Sequence, residues 1–266
     1  MARAEIAIVD HYGLDAEWER TIENGGAAVV AIDDLANRMH SCAVLLDQNI
    51  TATIPGRYDR LVSNGCKLLL GPKYALLRTE FHRAERRERL GSVHRVAVSF
   101  GGFDHANATS LTIRAILQSS LRDEAIDVVL DQDAPHAAEV RQLCAGKDNL
   151  HYRGKVNDMA ALLSQADLAI GACGVSQWER AYLGVPVILV TLADNQLPAA
   201  QRCAELGVAE HAGRVEDVSV SSLAQCIDAL VFDKARLQHY SQTSLQLMGD
   251  GCGTAVVADC VLSLAA

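Results

Sequence analysis

Leu168-Ala-Ile-Gly-Ala-Cys-Gly-Val-Ser-Gln-Trp-Glu-Arg-Ala-Tyr-Leu-Gly-Val-Pro-Val-Ile-Leu-Val190 spells out one strand, one loop, one helix and a second strand. Leu168–Ile170 is a short apolar run ending in a glycine loop. Gln177–Leu183 has helical character, and Val187–Val190 is a second apolar run. A buried strand, a helix and another buried strand make a crossover unit, and such units build parallel sheets covered on both faces. The same alternation extends upstream to Arg95. Strands are predicted at Val96–Phe100, Asp127–Leu130 and Leu150–Arg153, with a weaker one downstream at Val208–Glu210. Helices are predicted at 108–120, 137–145, 159–165 and 198–206, and three more close the chain at 221–232, 234–248 and 254–265. Right-handed crossovers make this a Rossmann-like domain.

A second, shorter alternation precedes it. Ile6–Asp10, Ala27–Ile32 and Ala43–Asp47 read as strands, with a helix over Asp15–Asn24. Three strands are fewer than a typical sheet carries, so this unit reads as an incomplete parallel domain. The run Thr79-Glu-Phe-His-Arg-Ala-Glu-Arg-Arg-Glu-Arg-Leu90 reads as a solvated helix linking the two. The expected division is 1–92 and 93–266.

The 266 residues carry a net charge of -9 with a pI near 5.4. An acidic balance disfavours nucleic acid or an anionic membrane as partner. The eight cysteines form no C-x-x-C pair and no zinc-ligand spacing, which points to reduced thiols. Met1-Ala-Arg-Ala-Glu5 has no apolar leader core, and the run Val185–Ala193 is too short to span a bilayer. A cytoplasmic protein is expected.

Four sets of residues lie where the predicted strands of the second unit end. Gly101 and Gly102, in Ser99-Phe-Gly-Gly-Phe-Asp104, allow a tight turn and close approach of a ligand. Gly174, Ser176 and Glu179 follow Leu168–Ile170; either Ser176 and Glu179 form a capping box, or the loop grips a diphosphate and Glu179 accepts two ribose hydroxyls. Asn195 and Gln196 offer paired donors and acceptors for sugar hydroxyls, or else Asn195 caps the next helix. In Val156-Asn-Asp-Met-Ala160, Asn157 or Asp158 is a helix cap, while the Val156 backbone is placed to meet a base edge. In the first unit His11, with an intrinsic pKa near neutrality, lies at a strand end beside Tyr12. The strand-end acids Asp33, Asp34 and Asp47 suggest magnesium only weakly, and no metal or cofactor is expected.

As a set, Val9-Asp-His-Tyr-Gly13, Leu45-Leu-Asp-Gln-Asn49, Gly71-Pro-Lys-Tyr-Ala-Leu-Leu-Arg78, Phe100-Gly-Gly-Phe-Asp104 and Asp194-Asn-Gln196 resemble the bacterial UDP-2,4-diacetamido-2,4,6-trideoxy-β-L-altropyranose hydrolases of pseudaminic acid biosynthesis, which serve flagellin glycosylation. The second half is also similar to the UDP-GlcNAc transferase that completes lipid II. Both resemblances imply an α/β GT-B fold, two Rossmann-like domains with the N-terminal one incomplete here. They imply UDP-sugar hydrolysis without a metal, and as alternatives a UDP-sugar glycosyltransferase or a non-catalytic UDP-sugar-binding protein. They imply Glu179 on the ribose, Ser176 and its loop on the phosphates, Val156 on uracil, Asn195 and Gln196 on the sugar, and Tyr12 near the reacting centre. Members of the hydrolase family begin with a further strand and a Gly-x-Gly-His loop whose histidine is the expected base. This sequence opens at the strand carrying His11, so the resemblance carries no base over, and His11 stands as the substitute candidate.

Overall fold

The structure, a computed structural model, describes residues 4–265; the Met1-Ala-Arg segment of the leader argument lies outside them. The chain divides into two compact units. One is Met1–Leu77 with Gly249–Ala266, the other Arg78–Met248.

The first unit is a parallel sheet of β1 (Ile6–Val9), β2 (Ala28–Ile32), β3 (Val44–Asp47) and β4 (Lys67–Leu70), in that order. β4 adds to the three expected strands. Helix α1 (Ala16–Asn24) crosses from β1 to β2, and its Asp15 cap accepts the Glu17 and Trp18 N–H groups. Strand alternation sends Val29, Ala31 and Leu45 to one face with Tyr58, and Val30, Val44 and Leu46 to the other. β1 is an edge strand, and Ile8 on it is largely exposed.

In the second unit the charged run is helical only over α2 (Thr79–Arg83). The rest is irregular and is not simply solvated, because Arg89 is buried. Its guanidinium donates to the carbonyls of Leu163, Ser164 and Ala166, and to that of Leu183. The first three lie at the end of a helix, where carbonyls lack intrahelical partners and a cation is favoured. Burial lowers the Arg89 pKa to about 10, so it stays charged at neutrality.

Beyond it run β5 (Arg95–Ser99), α3 (Ala108–Ile116), β6 (Ala125–Val129), α4 (Ala137–Cys144), β7 (Leu150–Tyr152), α5 (Met159–Gln165), β8 (Leu168–Gly171), α6 (Ser176–Tyr182), β9 (Val187–Thr191), α7 (Leu197–Glu205), β10 (Glu210–Arg214), α8 (Val220–Val231) and α9 (Lys234–Met248). All the strands are parallel, in the order β10-β9-β8-β5-β6-β7. Val96, Val98, Ile126, Val128, Ile170 and Ile188 are fully buried between the helical layers, each contributing about 1.5–3 kcal/mol of transfer free energy. The last strand begins where Val208–Glu210 was expected to end. It carries a register shift between His211 and Gly213, the latter at φ 122°.

The chain then returns to the first unit as α10 (Gly253–Leu262), whose Val257 and Cys260 cover the Val30–Leu46 face. A Cβ at Gly253 would stand 2.5 Å from the Lys73 carbonyl oxygen, so this close approach requires glycine. This return, and a boundary at Leu77, depart from the expected division at residue 92. The stretch Lys234–Leu262 has a mean hydropathy of 1.2 over its best window. Gly249 and Gly251, at φ 56° and 76°, break it into helices of 15 and 10 residues, each short of the roughly 20 that a span needs.

Candidate functional site

In the second sheet the winding direction reverses between β5 and β8. From β5 the chain steps outward to β6 and β7; from β8 it steps the other way to β9 and β10. At such a switch point the two loops leave the carboxyl ends of adjacent strands in opposite directions and open a crevice. The loops here are those with Gly101–Gly102 and Gly174–Ser176, and Ser99 pairs with Gly171 at their common root. Sequence spacing placed each loop at a strand end; the sheet order makes them neighbours.

Gly101 lies at φ 94°, a conformation L side chains rarely adopt, and open space surrounds both Gly101 and Gly102. The N-terminus of α3 behind them is already filled. Asp104, buried and at φ 36°, accepts the Ala108 N–H at 3.1 Å and the Thr109 N–H at 2.7 Å. A carboxylate of the chain itself therefore occupies this helix end.

At the second loop a Cβ on Gly171 would collide with the Ser99 carbonyl oxygen and the Arg180 guanidinium. Glycine is needed there so that Arg180 can lie beneath the loop and donate to the Ala172 carbonyl. Arg180 is fully buried and makes no ion pair among the described residues; burial lowers its pKa to about 10, which keeps it charged. An unpaired buried cation is costly, and a ligand anion at the loop would offset that cost. Sequence reading did not single out this residue. The signal was an arginine one turn into a helix of otherwise buried residues.

Ser176 and Glu179 do not form a capping box. The cap position of α6 is Val175 in helical conformation, without a side-chain hydrogen bond. Glu179 instead pairs with Arg78, whose Nε donates to Oε1 at 3.0 Å. Arg78 also meets Glu80 at 2.9 Å and stacks over the Phe81 ring. Burial raises the Glu179 pKa, and Arg78 opposes the rise. Oε2 of Glu179 makes no hydrogen bond among the described residues.

Gln196 turns its Oε1 to the Leu192 N–H at 3.1 Å, while Asn195 is exposed in a one-turn 3-10 helix and caps nothing. Asp158, not Asn157, caps α5 by accepting the Ala161 N–H. Val156 lines a cavity of about 260 Å³ with Arg95, Asp127, Arg153 and Leu162.

The first unit also gathers polar groups at its strand ends. Tyr58 lies with its hydroxyl 3.0 Å from Asp33 Oδ2 and 2.8 Å from Asp47 Oδ2. Arg38 pairs with Asp33 at 2.6 Å and donates to the His11 and Leu14 carbonyls, pinning the loop that holds His11 and Tyr12. Asp33 and Asp47 are thus engaged by Arg38, Tyr58 and backbone donors. His11 Nδ1 accepts the Gly13 N–H at 3.0 Å. In the neutral ring this bond puts the proton on Nε2, so the imidazole presents a donor rather than a base. Burial and the Asp34 carboxylate push Tyr12 up to about 12, so its hydroxyl is also a donor at neutral pH.

The comparisons with known proteins agree with this architecture. No family model matches the sequence. The chain is 29% identical to the spore coat polysaccharide biosynthesis protein SpsG of Bacillus subtilis, over 83% of this chain and 66% of that protein. It is 26% identical to the UDP-2,4-diacetamido-2,4,6-trideoxy-beta-L-altropyranose hydrolase of Campylobacter jejuni, over 62% of this chain and 58% of that one. The chain spans 41% to 66% of the length of the curated relatives it matches. MurG of Acinetobacter baumannii superposes with a TM-score of 0.65 at 15% identity, covering 98% of this chain and 73% of that one. Anabaena HepE in complex with UDP gives 0.60 at 15%, covering 97% and 79%. The chain is a distant homologue of SpsG and of the altropyranose hydrolase, and it has the α/β fold of GT-B proteins, two parallel sheets with alternating helices.

Proposed function

We propose that the second unit binds a UDP-sugar at the β5/β8 switch point and that the protein hydrolyses its glycosyl–phosphate bond, releasing UDP and free sugar. The observation that carries the binding is the pairing of Ser99 with Gly171, which brings two glycine loops together above the buried Arg180. Gly101, Gly102, Gly174 and Ser176 cradle the diphosphate in this reading, with no metal required. Glu179 takes the ribose hydroxyls, Val156 the uracil, and Asn195 and Gln196 the sugar. The similarity to a relative named as a UDP-sugar hydrolase supports the reaction, and that relative's name supports a trideoxy-diacetamido sugar; a place in pseudaminic acid synthesis rests on the family resemblance of the sequence motifs. A cytoplasmic setting fits a nucleotide-sugar substrate.

Water replaces UDP at the anomeric carbon, so a group must take the water's proton. His11, the candidate for this role, has a lone pair free to take it only once the Gly13 N–H leaves Nδ1, a rearrangement of about 1 kcal/mol. A UDP-sugar glycosyltransferase is the second reading, supported by the GT-B neighbours, and it needs an acceptor hydroxyl in place of water. A non-catalytic binding protein is the third.

Titration calorimetry with UDP, GDP and CDP tests the binding, and equal affinity for all three sinks the uridine assignment. UDP release without acceptor supports hydrolysis; release only on adding acceptor sinks it in favour of transfer. Binding without either identifies a non-catalytic protein.

A further inference from the structure

A carboxylate that receives two ribose hydroxyls must be ionised, because a protonated one presents a donor where acceptors are needed. Glu179 has a difficulty here: it is buried, and burial favours its neutral form. The charged groups facing it are few. Arg180 follows it on the same helix, and Arg78 and Glu80 approach from the start of α2. The Arg180 guanidinium is engaged beneath the glycine loop, at the Ala172 carbonyl. Glu80 adds like charge. Among the described residues Arg78 alone makes an ion pair with Glu179, and it does so one-sidedly, with Nε on Oε1 at 3.0 Å.

We propose that Arg78 is a positioning residue that keeps Glu179 ionised and turned so that Oε2 meets a ribose diol. The proposal rests on the nucleotide reading above. The geometry that favours it is the division of the carboxylate, one oxygen engaged by the cation and the other without a partner among the described residues. Arg78 itself is held from two further sides, by Glu80 at 2.9 Å and by the Phe81 ring at 5.3 Å. Its side chain is about half exposed, at 48%, so replacing it opens no core cavity. The contact to Glu179 is a single hydrogen bond rather than a two-pronged one. A lysine can supply the same charge there.

The test is UDP affinity from pH 5.5 to 8 for the wild type, Arg78→Gln and Arg78→Lys, with 2′,3′-dideoxy-UDP as the probe that lacks the diol. Circular dichroism checks that each variant folds. In Arg78→Gln the affinity for UDP should stay within about threefold of wild type at pH 8. On going to pH 5.5 it should fall roughly tenfold more than the wild type does, the effect of about one pH unit on a carboxyl. Arg78→Lys should restore the wild-type profile, and the dideoxy compound should bind all three chains with one pH profile. Superimposable UDP profiles for wild type and Arg78→Gln overturn the proposal while leaving the nucleotide reading intact. An equal pH effect on the dideoxy compound also overturns it, since the diol would then play no part. A wild-type chain that binds no UDP overturns the nucleotide reading and this assignment together.

Discussion

Both sheets gather polar residues at the carboxyl ends of their strands, but they spend them differently. In the first unit the charges are matched within the chain: Asp33 pairs with Arg38 and Tyr58, Asp47 with Tyr58 and Arg57, and His40 and the Ser41 N–H hold Glu19, although Arg57 Nε and His40 Nε2 are left without a hydrogen bond among the described residues. In the second unit the switch-point groups have capacity left over. Arg180 is a buried charge without an ion pair, Oε2 of Glu179 has no partner, and the Ser176 hydroxyl makes no hydrogen bond, all among the described residues. A polar cluster whose charges are matched contributes to folding; one whose charges are not is suited to a ligand. Substitutions in the first cluster should therefore cost stability, and those in the second should cost binding, except where a residue holds the loops together.

Gly171 is that exception and carries the largest expected effect. Gly171→Ala forces a methyl against the Ser99 carbonyl and Arg180 at the joint of β5 and β8. Overpacking of this kind costs about 1–3 kcal/mol and sometimes more, and the clash here is with backbone, which yields least. Denaturant unfolding should show a loss at the top of that range. Gly174→Ala, three residues on, meets nothing within 4 Å and should leave stability within about 0.5 kcal/mol. Equal costs at the two positions would break the account of the loop.

The next effect is confined to the first unit. One hydroxyl hydrogen on Tyr58 cannot serve both Asp33 and Asp47, so the short contacts need a second proton. Burial pushes the Asp47 pKa up to about 6, although the Asn49 N–H, Tyr58 and Arg57 oppose it. Burial would also raise Asp33, but the Ala36 N–H and Arg38 outweigh it and lower its pKa. Below about pH 6 Asp47 thus holds the second proton and Asp33 the charge, and above it that proton is lost. With a folded pKa above the unfolded 3.8, Asp47 favours the folded state fully below pH 3.8 and loses that contribution as pH rises to about 6. Two pH units correspond to about 3 kcal/mol. Whatever Asp47→Asn costs at pH 4, that cost should therefore shrink by up to about 3 kcal/mol as pH rises to 7, read as the shift in urea midpoint relative to wild type. Parallel pH profiles would show that Asp47 is ionised throughout.

How far was this legible in the sequence? The strand–helix–strand reading of Leu168–Val190 needed only local pattern, and the structure has β8, α6 and β9 there. β4 escaped because Lys67-Leu-Leu-Leu70 is too short to show a period, and its partner β3 lies across a long loop. The charged run at 79–90 has helical composition, yet Arg89 finds unpaired carbonyls some 75 residues away, and that long-range gain outweighs local propensity. The same applies at the site. Ser176 and Glu179 have capping-box spacing, but Glu179 takes a cation 101 residues upstream. Motif position was readable because strand ends are local features. Which polar group satisfies which was not, because that depends on sheet order.

Glu179→Ala sharpens the comparison from the ligand side. Losing a charged acceptor should weaken UDP by about 1.5–3 kcal/mol, roughly ten- to hundredfold. It also removes the Arg78 ion pair, which is half-exposed on the arginine side and contributes little to stability. Calorimetry and thermal unfolding on one sample separate the two effects. A stability loss without an affinity loss would place Glu179 with the self-satisfied clusters of the first unit.

The smallest expected effect is the most discriminating, because it is expected in only one measurement. Ser176 opens α6, yet the cap position belongs to Val175 and no side chain caps the helix. A serine that caps a helix costs about 1 kcal/mol when replaced by alanine. Here the hydroxyl makes no hydrogen bond among the described residues, and alanine is a better helix former. Ser176→Ala should thus leave the unfolding midpoint unchanged or slightly raised. If the hydroxyl donates to a diphosphate oxygen, the same change should lower UDP affinity by about 0.5–1.5 kcal/mol, roughly two- to tenfold. Uridine, which has no phosphate, should bind wild type and variant alike. An unchanged UDP affinity would restrict the phosphate cradle to glycine backbone. An equal loss for uridine would mean that Ser176 shapes the loop as a whole and does not touch the phosphates.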